Sequence, residues 1–166
     1  MSVAHVRDYL TQFDAADRII EFDVSSATVE LAAAALNCEP GRIAKTLSFM
    51  AGDTPMLIVF AGDARIDNRK YKQRFGVKAT MMKAEEIERF TGLHFGGVCP
   101  FGIPEAVAIY LDESLRRFDP VYPAAGSDSS AVRVSLEELE RFSRARGWVD
   151  VSKLPESMLQ QTLTLF

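Results

Sequence analysis

The sequence predicts a single α/β domain, a mixed and mostly antiparallel sheet surrounded by helices. Three observations carry that prediction. A chain of 166 residues is long enough for one core and short for two. Apolar residues switch repeatedly between a helical period and strand-like alternation over short segments. No internal repeat, repeated strand–helix–strand unit or low-complexity linker divides the chain, so one domain is expected over residues 1–166.

The elements follow in order. Val3, Val6, Tyr9, Leu10 and Phe13 recur at helical spacing and open the chain with an amphipathic helix. Residues 18–22 alternate as a short strand. Residues 25–28 offer caps to an alanine-rich helix over 29–36, with Asn37 placed to stop it. Residues 43–50 and 56–61 read as a hairpin joined by the turn 51–55. A basic helix over 68–75 and a short strand over 77–81 come next. A helix over 84–90 then stops at Thr91-Gly92. Residues 106–111 form the clearest strand, apolar throughout and therefore buried on both faces. Short strands are expected near 118–122 and 131–134. Ser135 and Glu138 form a capping box at the start of the last helix. From Gly147 onward the chain is apolar but irregular.

Composition excludes several classes of function. An apolar fraction of 48% with 25% charged residues is that of a globular protein and not of a disordered chain. No run approaches the roughly 20 apolar residues of a membrane span, and residues 1–8 lack the pattern of a signal peptide. A cytoplasmic protein is expected. Cys38, His94 and Cys99 have no paired-ligand spacing, so no metal is expected. The net charge of −4 argues against non-specific coating of nucleic acid. Cations nevertheless concentrate in one segment (Arg65, Arg69, Lys70, Lys72, Arg74 and Lys78), and Arg65, Arg69 and Lys72 share helical spacing. That stripe is either a solvated helix face or a landing strip for phosphates.

Two features point to chemistry. In the loop 92–104, Gly96, Gly97 and Gly102 flank Pro100. Glycine lets a backbone approach a ligand and aim its N–H groups at it, as an oxyanion or phosphate requires. The loop has neither of the common nucleotide-binding glycine patterns, and its alternative reading is a tight connection. Lys45 is the second feature. Strand alternation puts it on the face of Ile43, Leu47 and Phe49, where a cation is costly unless it lines a pocket, finds a partner or snorkels from an edge. Cys99 with His94 offers a thiol–imidazole pair, but no third group to orient it is evident. Asp112 reads as a cap after the buried strand, and 125–130 as a small-residue turn that shapes a pocket or simply connects strands.

Residues 43–47, Ala61-Gly62-Asp63, the 96–102 loop, Tyr110-Leu111-Asp112 and 124–127 occur in an order that resembles the YbaK/EbsC (ProX-type) family of aminoacyl-tRNA editing deacylases. The resemblance covers roughly residues 25–141. It implies a mixed sheet with surrounding helices and hydrolysis of an aminoacyl ester on the terminal ribose of tRNA. It also implies no cofactor, no metal and no covalent enzyme intermediate. The family's essential lysine falls on Lys45 and its glycine–proline loop on residues 96–100. Catalysis is therefore expected from Lys45, Gly96 and Gly97. Val98, Cys99, Pro100, Phe101, Gly102, Phe49, Ser127 and Asp112 are expected to bind substrate, and Arg65, Arg69, Lys70 and Lys72 to bind tRNA. The expected partners are an aminoacyl-tRNA carrying a small amino acid, with proline tRNA a candidate, and an aminoacyl-tRNA synthetase, with no membrane and no DNA. A non-catalytic tRNA- or synthetase-binding module on the same fold is the competing reading.

Overall fold

A computed structural model describes residues 3–25, 28–94 and 96–155. Among them are five α-helices: α1 (Val3–Thr11), α2 (Val29–Leu36), α3 (Asn68–Phe75), α4 (Ala84–Thr91) and α5 (Leu136–Ser143). The strands are β1 (Ile19–Glu21), β2 (Ile43–Ala51), β3 (Thr54–Ala61), β4 (Arg65–Ile66), β5 (Ala108–Asp112), β6 (Tyr122–Pro123), β7 (Ser130–Val132), β8 (Gly147–Val149) and β9 (Ser152–Lys153). The central sheet has the order β6-β2-β3-β5-β8, flanked by the pairs β1-β7 and β4-β9.

The expected mixed α/β fold is present. The β2–β3 hairpin, β1–β7 and β4–β9 pair antiparallel, whereas β6, β5 and β8 join the central sheet in parallel. The parallel neighbours come from long connections, which the local hairpin signal could not announce.

Local chemistry explains the helix limits. The Thr28 hydroxyl accepts from the Leu31 amide, and Asn37 closes α2 in the left-handed conformation. Asp67 accepts from the Arg69 and Lys70 amides at the start of α3. Ser135 and Glu138 exchange the two bonds of the expected capping box. Two expectations shift. β3 begins at Thr54 and takes in Pro55, which the sequence placed in the turn. Pro55 pairs with Met50, whose amide donates outward to Thr80 O, and β5 joins only from Met56. No ladder bond therefore needs the missing proline N–H. The segment 77–81 forms a single bridge between Met81 and Phe49 rather than a strand.

β3 is buried from Pro55 to Ala61 and separates two layers of core. On one face Val59, Ala61 and Leu111 meet Val6 and Leu10 of α1, Leu139 and Phe142 of α5, and Cys99 and Phe101. On the other, Ile58, Phe60 and Phe49 meet Tyr71 of α3. The tail expected to be irregular is ordered from Gly147 to Pro155, adding β8 beside β5 and β9 beside β4.

Asp112 explains how that tail docks. Fully buried at the end of β5, its carboxylate accepts from the Ser114 and Val151 amides, both at 2.9 Å, and from the Ser152 hydroxyl at 2.6 Å. Such bonds to a buried carboxylate are strong, and removing it strands three donors. Asp112→Ala is expected to cost about 2–4 kcal/mol in urea unfolding, chiefly by undocking β9.

Candidate functional site

A cavity of about 380 Å³ lies along the outer edge of β2. Lys45, Gly96, Val98 and Ser127, four of the residues expected from the sequence, line it together. The glycine loop and the 125–130 turn reach this edge side by side. A Cβ built on Gly97 would stand 2.9 Å from Ser127 Cα, so the two backbones meet there only because residue 97 is glycine. Gly97 itself is buried, with its amide donating to His94 O at 3.0 Å. Gly96, with φ +96°, forms the exposed rim.

Lys45 is half-buried. Its ammonium donates to Gly62 O at 3.3 Å and to Ala64 O, both in the turn after β3. An ammonium has three donors, so one is left for a ligand. Burial pushes the Lys45 ammonium below its ordinary range, the Asp63 carboxylate pulls it back up, and Arg65 pushes it down. Asp63 is held by Arg117, whose guanidinium donates to both carboxylate oxygens. A charge pair thus braces the turn that holds the lysine.

The structure moves several expected residues away from the cavity. Phe49 is fully buried in the opposite core layer, 5.2 Å from the Tyr71 ring. Cys99, Pro100 and Phe101 turn into the interior as the loop passes beneath α1, and Gly102 O meets His5 Nε2 at 2.9 Å. Asp112 is the tie to the tail described above. Alternation and glycine content had marked these residues without revealing which way the loop turns.

Cys99 is fully buried, and burial pushes its thiol up to about 12. It holds its proton at neutral pH, and His94 is exposed beside Glu88. The two do not form the thiolate–imidazole couple that nucleophilic catalysis needs.

The basic stripe is also rearranged. Arg65 lies on β4, ahead of the Asp67 cap, so it does not share the α3 stripe with Arg69 and Lys72. Lys70 is tied to Asp150 at 3.0 Å and to Ser152 O at 2.8 Å. Arg65, Arg69 and Lys72 remain exposed, with Arg65 near enough to Lys45 to affect its charge.

Sequence reasoning missed the far wall. Val29, Ala32 and Leu36 of α2 face the cavity, with Tyr122 from β6 beside them. The alanine run was the available signal, because small side chains let a helix stand close to a strand while leaving space. Thr46 was also missed, although it lines the cavity next to Lys45.

The chain belongs to the aminoacyl-tRNA editing domain family, whose profile matches residues 24–142. It is 48% identical to the uncharacterized protein YwhH of Bacillus subtilis, covering 92% of this chain and 98% of that one. It is 24% identical to a proline–tRNA ligase of Levilactobacillus brevis, over 72% of this chain and 21% of the ligase. A solved structure provisionally described as a trans-editing enzyme for prolyl-tRNA synthetase superposes with a TM-score of 0.83 at 28% identity. It covers 91% of this chain and 96% of its own. The hypothetical protein APE2540 superposes with a TM-score of 0.79 at 26% identity, over 90% and 99% of the two chains. Among the described residues, no helix is long and apolar enough to cross a membrane.

Because Asp63 favours the charged lysine, Asp63→Asn is expected to move the Lys45 titration to lower pH. Following the Lys45 side chain by NMR across the alkaline range checks this, and a midpoint unchanged or raised would contradict it.

Proposed function

We propose that this chain is a trans-acting aminoacyl-tRNA deacylase that hydrolyses the ester of a mischarged tRNA carrying a small amino acid, with proline tRNA the first candidate. The observation that carries the reading is the meeting of Lys45, Gly96, Val98 and Ser127 around one cavity in an editing-domain fold. The likeness to part of prolyl-tRNA ligases supports the choice of tRNA. The likeness to a solved structure described as a trans-editing enzyme for prolyl-tRNA synthetase supports action in trans.

In this reaction water adds to the ester carbonyl carbon and the bond to the ribose oxygen breaks. The ribose oxygen takes a proton, and the amino acid leaves as its carboxylate. Negative charge develops on the carbonyl oxygen and then on the ribose oxygen. A desolvated ammonium stabilises such charge better than one in water, provided it is held in place beforehand. The Gly62 and Ala64 carbonyls hold Lys45 in that way while leaving one donor for the terminal ribose or its phosphate. A ribose hydroxyl of the substrate orients the attacking water. No metal or covalent enzyme intermediate enters the scheme. The α2 wall and Val98 offer an apolar bin for a small side chain, and discrimination there is worth about 1–3 kcal/mol.

Deacylation of a panel of mischarged tRNAs tests the reading. Wild type is expected to clear at least one, Lys45→Ala to lose about 10²-fold or more in kcat/KM, and Cys99→Ala to retain activity. If wild type binds tRNA but clears none of them, the non-catalytic module replaces this reading.

Arg65, Arg69 and Lys72 are assigned to the phosphates flanking the acceptor end. Arg69→Glu with Lys72→Glu should weaken tRNA binding most at low salt and reduce the salt slope by roughly one to two. Affinity unchanged at low salt would return these residues to the role of a solvated face.

A further inference from the structure

The edge of β2 facing the cavity is paired on both sides of one residue and left open at that residue. Ile43 and Ala44 pair with β6, and the pairing stops at Ala44. Farther along, the Met82 amide donates to Ser48 O and the Met50 amide to Thr80 O. In a strand, residues two apart present their N–H and C=O groups to the same side. Ser48 and Met50 face outward, so Thr46 faces outward too. Its amide and carbonyl lie in the stretch where, among the described residues, neither neighbour reaches. The Thr46 hydroxyl is likewise buried with no hydrogen-bond partner. Among the described residues, one cavity-lining residue therefore carries an amide and a carbonyl outside the pairings of β2 and a buried hydroxyl without a partner, whereas buried polar groups are ordinarily satisfied.

We propose that Thr46 is the recognition residue for the α-amino-acyl unit, bound as a one-residue extension of the sheet that requires a free α-ammonium group. This inference rests on the deacylase reading of the cavity. An amino-acid ester carries its nitrogen and carbonyl on the two sides of a single Cα, as a strand residue does. It exchanges two bonds with Thr46 in the manner of an antiparallel pair: the ester carbonyl accepts from the Thr46 amide, and the ammonium donates to the Thr46 carbonyl. The ammonium has further donors, and the Thr46 hydroxyl accepts one of them. An N-acylated ester has a single N–H, no charge and an added acyl group, so it cannot satisfy both acceptors. The bond to the ester carbonyl also places Thr46 N–H where negative charge develops in the reaction.

The site thus separates aminoacyl esters from N-acylated ones by a hydrogen-bond requirement, which discriminates more sharply than apolar fit. Lys45 and Thr46, adjacent in sequence, divide the work. The lysine takes the nucleotide end of the ester and the threonine the amino-acid end.

The test compares a tRNA ester cleared by wild type with its N-acetylated form, each rate divided by that ester's spontaneous hydrolysis. Wild type is expected to favour the free amine by about tenfold or more in normalised kcat/KM. Thr46→Val, an isosteric change that keeps a β-branched residue in the strand, should lower kcat/KM for the free-amine ester by about tenfold and leave the N-acetyl ester nearly unchanged. Thr46→Ser should restore the preference. Equal normalised cleavage of the two esters by wild type overturns the inference and leaves the deacylase reading standing. So does an equal loss on both esters in Thr46→Val. Cleavage of neither ester by wild type overturns both.

Discussion

The site depends on how the edge of β2 is paired. β3 is flanked by β2 and β5 and buried on both faces, so it offers no backbone to a ligand. β2 is the next strand outward, and its edge is covered at one end by the two-residue strand β6 and at the other by residues 80–82. Had β6 run two residues farther, Thr46 would be paired and the cavity would lose its polar floor. β6 ends at Pro123, where the chain turns into the 124–130 segment. An exposed edge is ordinarily a liability in a sheet. Here it is sunk beneath α2 and the glycine loop, out of reach of another strand but open to a small molecule.

Around that edge the fold places charge by bracing backbone rather than by adding side chains. Lys45 meets no carboxylate at hydrogen-bonding distance among the described residues; two carbonyls of a tight turn hold it instead. The turn is fixed from outside by Asp63 and Arg117. A direct ion pair would have spent the lysine's charge within the protein. Carbonyl dipoles orient the ammonium and leave much of its charge for a ligand. The same economy appears in the glycine loop. Gly97 lets the backbone of Ser127 come close, and Cys99 and Phe101 anchor the loop in the core.

Much of this was legible in the sequence where local patterns decide the outcome. The α2 limits followed from the caps at 25–28 and from Asn37, α3 from the basic segment 68–75, and the β2–β3 hairpin from alternation about the turn 51–55. Lys45 stood out as a cation on an apolar strand face. What stayed hidden was set by long-range partners. The parallel additions of β5, β6 and β8 depend on connections whose return points carry no local signal. Asp112 looked like a cap with a possible binding role, but its partners Val151 and Ser152 lie some 40 residues away. Phe49 and Phe101 could not be assigned to pocket or core from periodicity, because the two cores lie on opposite sides of the same strand. Thr46 gave no signal at all, since its importance comes from neighbours that stop short of it.

The open edge of β2 is the proposed seat of the aminoacyl unit. The most direct measurement is an amide chemical-shift map on adding 3′-alanylamino-3′-deoxyadenosine, a non-hydrolysable amide analogue of the tRNA terminus. The largest shifts are expected at Thr46 and its neighbours Lys45 and Leu47, with further shifts at Gly96 and Val98. Saturable binding that leaves Thr46 unmoved, with shifts gathered elsewhere on the surface, would contradict it.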